Sequence, residues 1–206
     1  PYARSMREAA ERLALTAAAR GDTISGTVRI TASRIVAHHL LPPILARLRA
    51  AHPAIAIELV ASDATENLMF READIALRMY RPREPQVAAR HIADLPMGLY
   101  AAHSYLDRAE RPDSLDALLR LHWVGFDRSD LMLRAMQGLG ISATRDFFAT
   151  RCDDQVVYWN LVRAGCGVGA MQTRIADADP AVERVAPFVE LPPMPVWLTV
   201  AEPLRA

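Results

Sequence analysis

The 206-residue chain is poor in cysteine and has no net charge. It has no apolar run near the length of about 18 residues that marks a membrane-spanning helix. Each deficit excludes something. With 24 basic and 24 acidic residues, it lacks the basic excess of a self-sufficient nucleic-acid-binding domain. Its two cysteines, Cys152 and Cys166, form no C-x-x-C and join no Cys/His cluster at zinc spacing, so no metal is expected. The spacing leaves a disulfide between them open, but nothing in the pattern asks for one. Two structural thiols fit a reducing cytoplasm. No charged segment leads into an apolar one as in a secretory signal, so the expected location is cytoplasmic. The first residue is Pro1 rather than Met, and a segment upstream of it would weaken both the membrane and the secretion arguments. The six histidines are scattered, with neither a G-x-S-x-G elbow nor an H-E-x-x-H. His38 and His39 are neighbours and cannot both point one way, which disfavours a two-histidine metal site. No acid, base and nucleophile assemble, so no enzyme and no cofactor are expected.

What is present is alternation. Residues 1–19 carry Tyr2, Met6, Ala9, Leu13 and Ala17 at helical steps, a thin stripe that needs a partner surface. Residues 20–26 form a turn-rich linker. Thr27–Thr31 predicts a strand, and 38–51 a helix with Leu41, Ile44, Leu45 and Leu48 on one face and Pro42 and Pro43 in its first turns. Ile55–Val60 predicts a second strand. Asp63-Ala64-Thr65-Glu66 has the pattern of a capping box opening a short helix. Ala73–Arg78 predicts a third strand. This β-α-β-α-β order implies a parallel sheet with crossover helices. Further extended segments are expected at 86–92, 97–101, 122–126, 145–151, 168–171 and 196–200, with helices at 131–137 and 154–164.

The stretch RAGCGVGAMQ, residues 163–172, contains a nominal G-x-G-x-x-A at Gly165, Gly167 and Ala170. A dinucleotide fingerprint requires a strand, then glycines, then a helix whose N-terminus holds the pyrophosphate. Here the order is reversed. A helix with acids at its start and Arg163 at its end runs into Gly165, which reads as its C′ stop. The small residues after it read as a buried strand in close approach to a neighbour. Cys166 has no adjacent cation or histidine to activate it.

Helix, glycine stop and small-residue strand together resemble a stretch of the LysR-type transcriptional regulators. GTVRIT at 26–31, HLLPPILARLRAAHPAIAIELV at 39–60 and READIALRMYRP at 71–82 fall in that family's order and spacing. Gln172 stands where the family usually has proline. The resemblance implies the effector-binding domain of such a regulator, without its DNA-binding domain. The implied fold is α/β, two Rossmann-like lobes with a cleft between them, as in type 2 periplasmic binding proteins, preceded by a linker helix. The implied division is 1–25 for the linker helix and turn, 26–93 plus 172–206 for lobe I, and 94–171 for lobe II. A small-molecule effector would bind between the lobes. The domains would form a homo-oligomer, dimer or tetramer, paired side by side and antiparallel, with helix 38–51 of one near helix 154–164 of the other. DNA would be reached only through a winged helix-turn-helix ahead of the linker helix. A stand-alone periplasmic solute-binding protein of a transporter is the alternative reading.

In open α/β sheets, ligands sit outside the carboxyl ends of strands. That rule selects candidate ligand-binding residues. Ser33 and Arg34 follow the first strand, where a hydroxyl and free helix N–H groups suit an anion; Ser33 could equally cap the helix. Thr65, past the second strand, could bind or cap. Arg78 ends the third strand and suits bidentate carboxylate binding, or is a solvated arginine. Phe126 could supply an apolar wall. Cys152 and Asp153 occupy a turn where the family resemblance places effector contacts, and Asp153 could instead cap the next helix. With Arg78 in the cleft the effector would carry a carboxylate, whereas Asp153 there would disfavour anions or pair an amine, and the two together would suit a ligand with both charges.

Overall fold

A computed structural model describes residues 25–63, 73–82 and 87–201. The expected linker helix, Thr65 and most of the expected capping box lie outside the described residues. The chain divides into two compact units, one ending at Ala93 and resuming at Val196, the other running from Asp94 to Pro195. Among the described residues no helix is long and apolar enough to cross a membrane.

In the first unit, strand β1 (Gly26–Ala32) is followed by helices α1 (Arg34–His39) and α2 (Leu41–Ala51). Then come strands β2 (Ile55–Ala61), β3 (Ile75–Arg78) and β4 (Val87–Leu95). β1 pairs in parallel with β2 over seven residues, from Gly26↔Ile55 to Ala32↔Ala61, and in parallel with β3. The alternation read in the sequence therefore does give parallel crossovers. The final strand β10 (Met194–Ala201) runs antiparallel beside β3, and the sheet order is β2-β1-β3-β10-β4. Ile30, Ala32, Ile35, Val36 and Leu41 are buried between sheet and helices. The helix expected over 38–51 is two helices meeting at Leu40. Pro42 and Pro43 have no N–H to give to the carbonyls of His38 and His39, so α1 stops and the prolines fill the first turn of α2. The apolar face of α2 is largely uncovered. Leu41 is buried, but Ile44 is 45% exposed.

The second unit begins with β5 (Met97–Ala102), flanked on both sides by antiparallel β8 (Gly169–Gln172) and β9 (Val182–Val185). With β9 paired along β5, residues 172–195, which the sequence placed in the first lobe, fall in the second unit. Two short parallel strands, β6 (Val124–Gly125) and β7 (Thr150–Arg151), are linked to β8 by a bridge between Trp123 and Val168. Around them lie helices α3 (His103–Leu106), α4 (Leu115–Leu119), α5 (Leu131–Gly138), α6 (Gln155–Arg163) and α7 (Thr173–Ala176). The core gathers Leu99, Tyr105, Leu118, Trp123, Met136 and Phe148. The strand expected over 145–151 is a 3-10 turn at Arg145–Phe147 with only Thr150 and Arg151 extended. Phe147 and Phe148 both pack on this core, their rings T-shaped at 5.4 Å. A strand would send adjacent side chains to opposite faces, so the backbone must turn.

The glycine cluster behaves as the sequence implies. α6 ends in a Schellman motif: Cys166 N–H donates to the Leu161 carbonyl at 3.1 Å and Gly165 N–H to that of Val162 at 3.0 Å. Gly165 has φ +85°, which glycine adopts without strain. Gly167 has φ +147°, and a Cβ there would collide with the His122 carbonyl. The close approach of this strand to its neighbour therefore requires glycine.

Candidate functional site

In the first unit the candidates meet at the carboxyl ends of β1 and β3. Thr31 lies beside Ala76 in the parallel register and Ala32 beside Leu77, so continuing the ladder brings Ser33 beside Arg78. Residues two apart share a face of a strand. Thr31, Ser33, Ala76 and Arg78 are thus on one face, and antiparallel β10 adds Trp197 and Thr199, the partners of Arg78 and Ala76. This face is polar and buried at once: Thr31 is 1% exposed, Ser33 6%, Arg78 2% and Thr199 1%. The reading of Arg78 as a solvated arginine is therefore overturned. Its guanidinium donates to the Thr31 hydroxyl at 3.1 Å and to the Leu77 carbonyl at 3.3 Å. The Thr199 hydroxyl donates to the Ala76 carbonyl at 3.3 Å.

Ser33 occupies the N-cap position of α1, yet its side chain makes no capping hydrogen bond. Its Oγ is buried and has no partner among the described residues. The capping role falls to Asp63, whose carboxylate accepts from the Arg34 N–H at 3.0 Å. Asp63, read as the start of a capping box whose other residues lie outside the described ones, thus takes the first N–H of α1. Arg34 itself contributes that backbone N–H, while its side chain is exposed. Thr31 and Thr199 were not singled out from the sequence; the available signal was a hydroxyl between apolar residues in ITA and WLTV.

In the second unit the turn after β7 is built on two aspartates with separate jobs. Asp154 caps α6, accepting from the N–H groups of Val156 and Val157, both at 3.0 Å. Asp153, expected to cap the helix or to meet ligand, does not cap it. Its carboxylate accepts from the N–H groups of Asp127, Arg128 and Ser129, each at 3.1 Å, and from Arg128 Nε at 3.2 Å. Partial burial pushes its pKa up, but the hydrogen bonds from Ser129, Arg128 and Asp127 outweigh burial and hold it below the usual aspartate value. With its oxygens so engaged, Asp153 shapes the 127–129 loop. An ion pair between Arg145 and Asp127 ties the same loop to the 3-10 turn.

Cys152 is half-buried, a free thiol with Sγ 3.8 Å from the Asp154 carbonyl, and its N–H extends the β6–β7 ladder to the Gly125 carbonyl at 2.9 Å. Phe126, half-buried at the end of β6, packs against the Tyr158 ring at 5.2 Å. Tyr158 is itself fixed: its hydroxyl accepts from the Ala170 N–H at 2.7 Å, and burial pushes its pKa well up. Cys152, Asp153 and Phe126 therefore cluster around one turn, as do Ser33, Arg34 and Arg78 in the first unit. Gln172 is a further buried polar group, 4% exposed with no partner for Oε1 among the described residues. The sequence reading noted it only as standing where the family usually has proline.

Comparison with known proteins agrees with this architecture. The LysR substrate binding domain family matches residues 21–203. The regulator CrgA of Neisseria meningitidis is 26% identical over 168 residues, covering 80% of this chain and 55% of that protein. A helix-turn-helix-type transcriptional repressor of Pseudomonas aeruginosa is 28% identical over 201 residues, 93% of this chain and 61% of its own length. The chain thus spans little more than half of these curated relatives. Among solved structures, the CrgA regulatory domain superposes with a TM-score of 0.74 at 22% identity, covering 86% of this chain and 89% of that one. The effector domain of AmpR from Pseudomonas aeruginosa gives 0.68 at 19% identity, covering 88% and 87%. A match over residues 21–203, on a two-unit α/β fold of the same kind, shows that this chain belongs to the LysR substrate-binding domain family.

Proposed function

We propose that the chain is the ligand-sensing part of a LysR-type transcriptional regulator and that its effector is a small molecule bearing a carboxylate. The observation that carries this reading is the buried Ser33 hydroxyl without a partner, one step past the β1–β3 register that ends at Ala32 and Leu77. A buried hydroxyl without a partner costs about 1–3 kcal/mol, and such groups in native proteins call for an explanation. Here the Ser33 hydroxyl lies, by register, beside a buried guanidinium suited to a carboxylate, at the strand ends where α/β sheets bind ligands. In the second unit, Phe126 and the Cys152 turn offer an apolar wall and a preset loop. The names of the relatives, regulators and a repressor, favour regulation over a transporter's binding protein.

The effector acts by favouring one arrangement of the units and of the oligomer over another. DNA is contacted by a winged helix-turn-helix that these 206 residues do not include. A second copy of the domain covers the exposed apolar side chains of α2 and α6. Ile44 on α2 and Val157 on α6 are 45% and 46% exposed, and a groove of about 670 Å³ beside α2 is lined by Leu45, Pro53, Ala56 and Leu59.

A thermal-shift screen of metabolites tests the effector class. Ligand at about a hundred times its Kd adds about 2.7 kcal/mol of stability. The expected result is that carboxylates raise Tm and that Ser33→Ala and Arg78→Gln each reduce that rise. Hits confined to neutral molecules, or a rise unchanged in both variants, would overturn the assignment.

A further inference from the structure

The second unit holds a cavity of about 390 Å³ that involves none of the candidate ligand-binding residues. Its floor is apolar: Tyr105, which is 6% exposed, with Ala117 and Leu121. Its rim carries Arg108, Arg120, His122 and Glu110. The two arginines lack acidic partners. Arg108 donates to the carbonyls of Ser104 at 2.7 Å and Gly165 at 3.1 Å and lies over the Tyr105 ring at 5.9 Å, but meets no carboxylate among the described residues. Arg120 has no side-chain hydrogen bond or ion pair among them, and Glu110 pairs with neither arginine. In the same unit Arg111, Arg128, Arg134, Arg145, Arg151 and Arg163 are each paired with a carboxylate. Arg174 and Arg184 also pair with no carboxylate among the described residues, but Arg108 and Arg120 are the two that share a cavity rim, beside Glu110.

The cavity is also rigid. The Tyr105 hydroxyl accepts from the His122 N–H at 2.8 Å, which fixes floor to rim. Arg108 ties the site to Gly165, the residue that ends α6, whereas the Asp153 turn lies at the opposite end of that helix. The volume falls in the range of about 300–1,000 Å³ seen for small-molecule sites. An apolar floor with cationic groups at one edge selects an amphipathic anion.

We infer that this cavity is a second small-molecule site, distinct from the Ser33–Arg78 site, that takes an aromatic or similarly apolar monocarboxylate. The ring lies against Tyr105 and Leu121. The carboxylate accepts from Arg120, with the Arg108 charge adding attraction. No bond is made or broken.

Phenylacetate is the probe, titrated into isotope-labelled protein while backbone amide signals are followed by NMR. The expected result is saturable shifts at Tyr105, Ala117, Arg120 and His122. Loss of one charge-assisted hydrogen bond in Arg120→Ala weakens binding about tenfold or more. Arg120→Lys, which keeps the charge, recovers part of it, and Ala117→Leu, which fills the cavity, abolishes it. Arg120 is exposed, so its variants test binding rather than folding. Phenylethanol, with the ring but no charge, and acetate, with the charge but no ring, bind far more weakly. Absent shifts at these residues, undiminished binding by Arg120→Ala, or equal binding of phenylethanol would each overturn the inference.

Discussion

The Arg78 guanidinium donates to the Thr31 hydroxyl at 3.1 Å in a place where both residues are almost fully buried. Burying an arginine costs several kcal/mol unless its donors are met. Thr31 meets one donor and orients the fork along the sheet face that also carries Ser33. Thr31→Val, which keeps shape and removes the acceptor, is expected to destabilise the unit by about 1.5–3 kcal/mol, because the lost bond is to a charged group. Urea unfolding measures it. A change below about 0.5 kcal/mol would show that the bond does not hold Arg78 in place.

The two aspartates after β7 are separable by experiment. Asp154→Ala removes the α6 cap and is expected to cost about 0.5–2 kcal/mol at every pH where the carboxylate is ionised. Asp153→Asn is expected to loosen residues 127–129, seen as faster amide exchange there with α6 unaffected. Protection of that loop unchanged in the variant would refute the role given to Asp153.

Asp153 also predicts a pH dependence. Its folded pKa lies below the ordinary value, so ionisation stabilises the fold. That stability is present above the unfolded carboxylate value of about 3.9 and is lost as pH falls through the lower folded value. The difference in unfolding free energy between the protein and Asp153→Asn should shrink over that acid window. A difference that stays constant from neutral to acid pH contradicts the assignment.

Two glycines of the 163–172 stretch should differ in cost. Gly165→Ala forces an L-residue to a left-handed φ and should cost about 1–2 kcal/mol. Gly167→Ala adds a collision with the His122 carbonyl, a backbone atom that cannot rotate away, and should cost about 2–5 kcal/mol in all. Equal Tm values for the two variants would show that the strand can retreat.

The exposed faces of α2 and α6 predict assembly. Ile44→Glu or Val157→Glu is expected to weaken self-association at least about tenfold, read by light scattering across concentration, with far-ultraviolet circular dichroism unchanged. A domain that stays monomeric at high concentration would exclude these faces as the contact between copies.

Much of this was legible along the chain because it depends on local rules. Period-two apolar residues set β1 and β2, and prolines marked the start of α2. An acid-to-base gradient ending in glycine located α6 and its Schellman stop. β9, α3, α4 and α7 escaped because each has four or five residues, too few for periodicity to show. β9 exists because β5 needs a partner on its far edge, which is a fact about the sheet and not about Val182–Val185.

The candidate site divides in the same way. Sequence named Ser33 and Arg78 from the strand-end rule, since strand ends are set by local pattern. It could not tell Asp153 from Asp154: adjacent aspartates before a helix look alike until the 127–129 loop arrives to claim one of them. It could not say that Arg78 is buried or that Ser33 lacks a partner, because burial and hydrogen bonding are sums over residues distant in the chain. The order of strands and helices and the family were fixed by sequence pattern, which acts through neighbours a few residues apart. Which polar groups were buried, and that the Ser33 hydroxyl among them has no partner among the described residues, was decided only when β1, β3 and β10 came side by side.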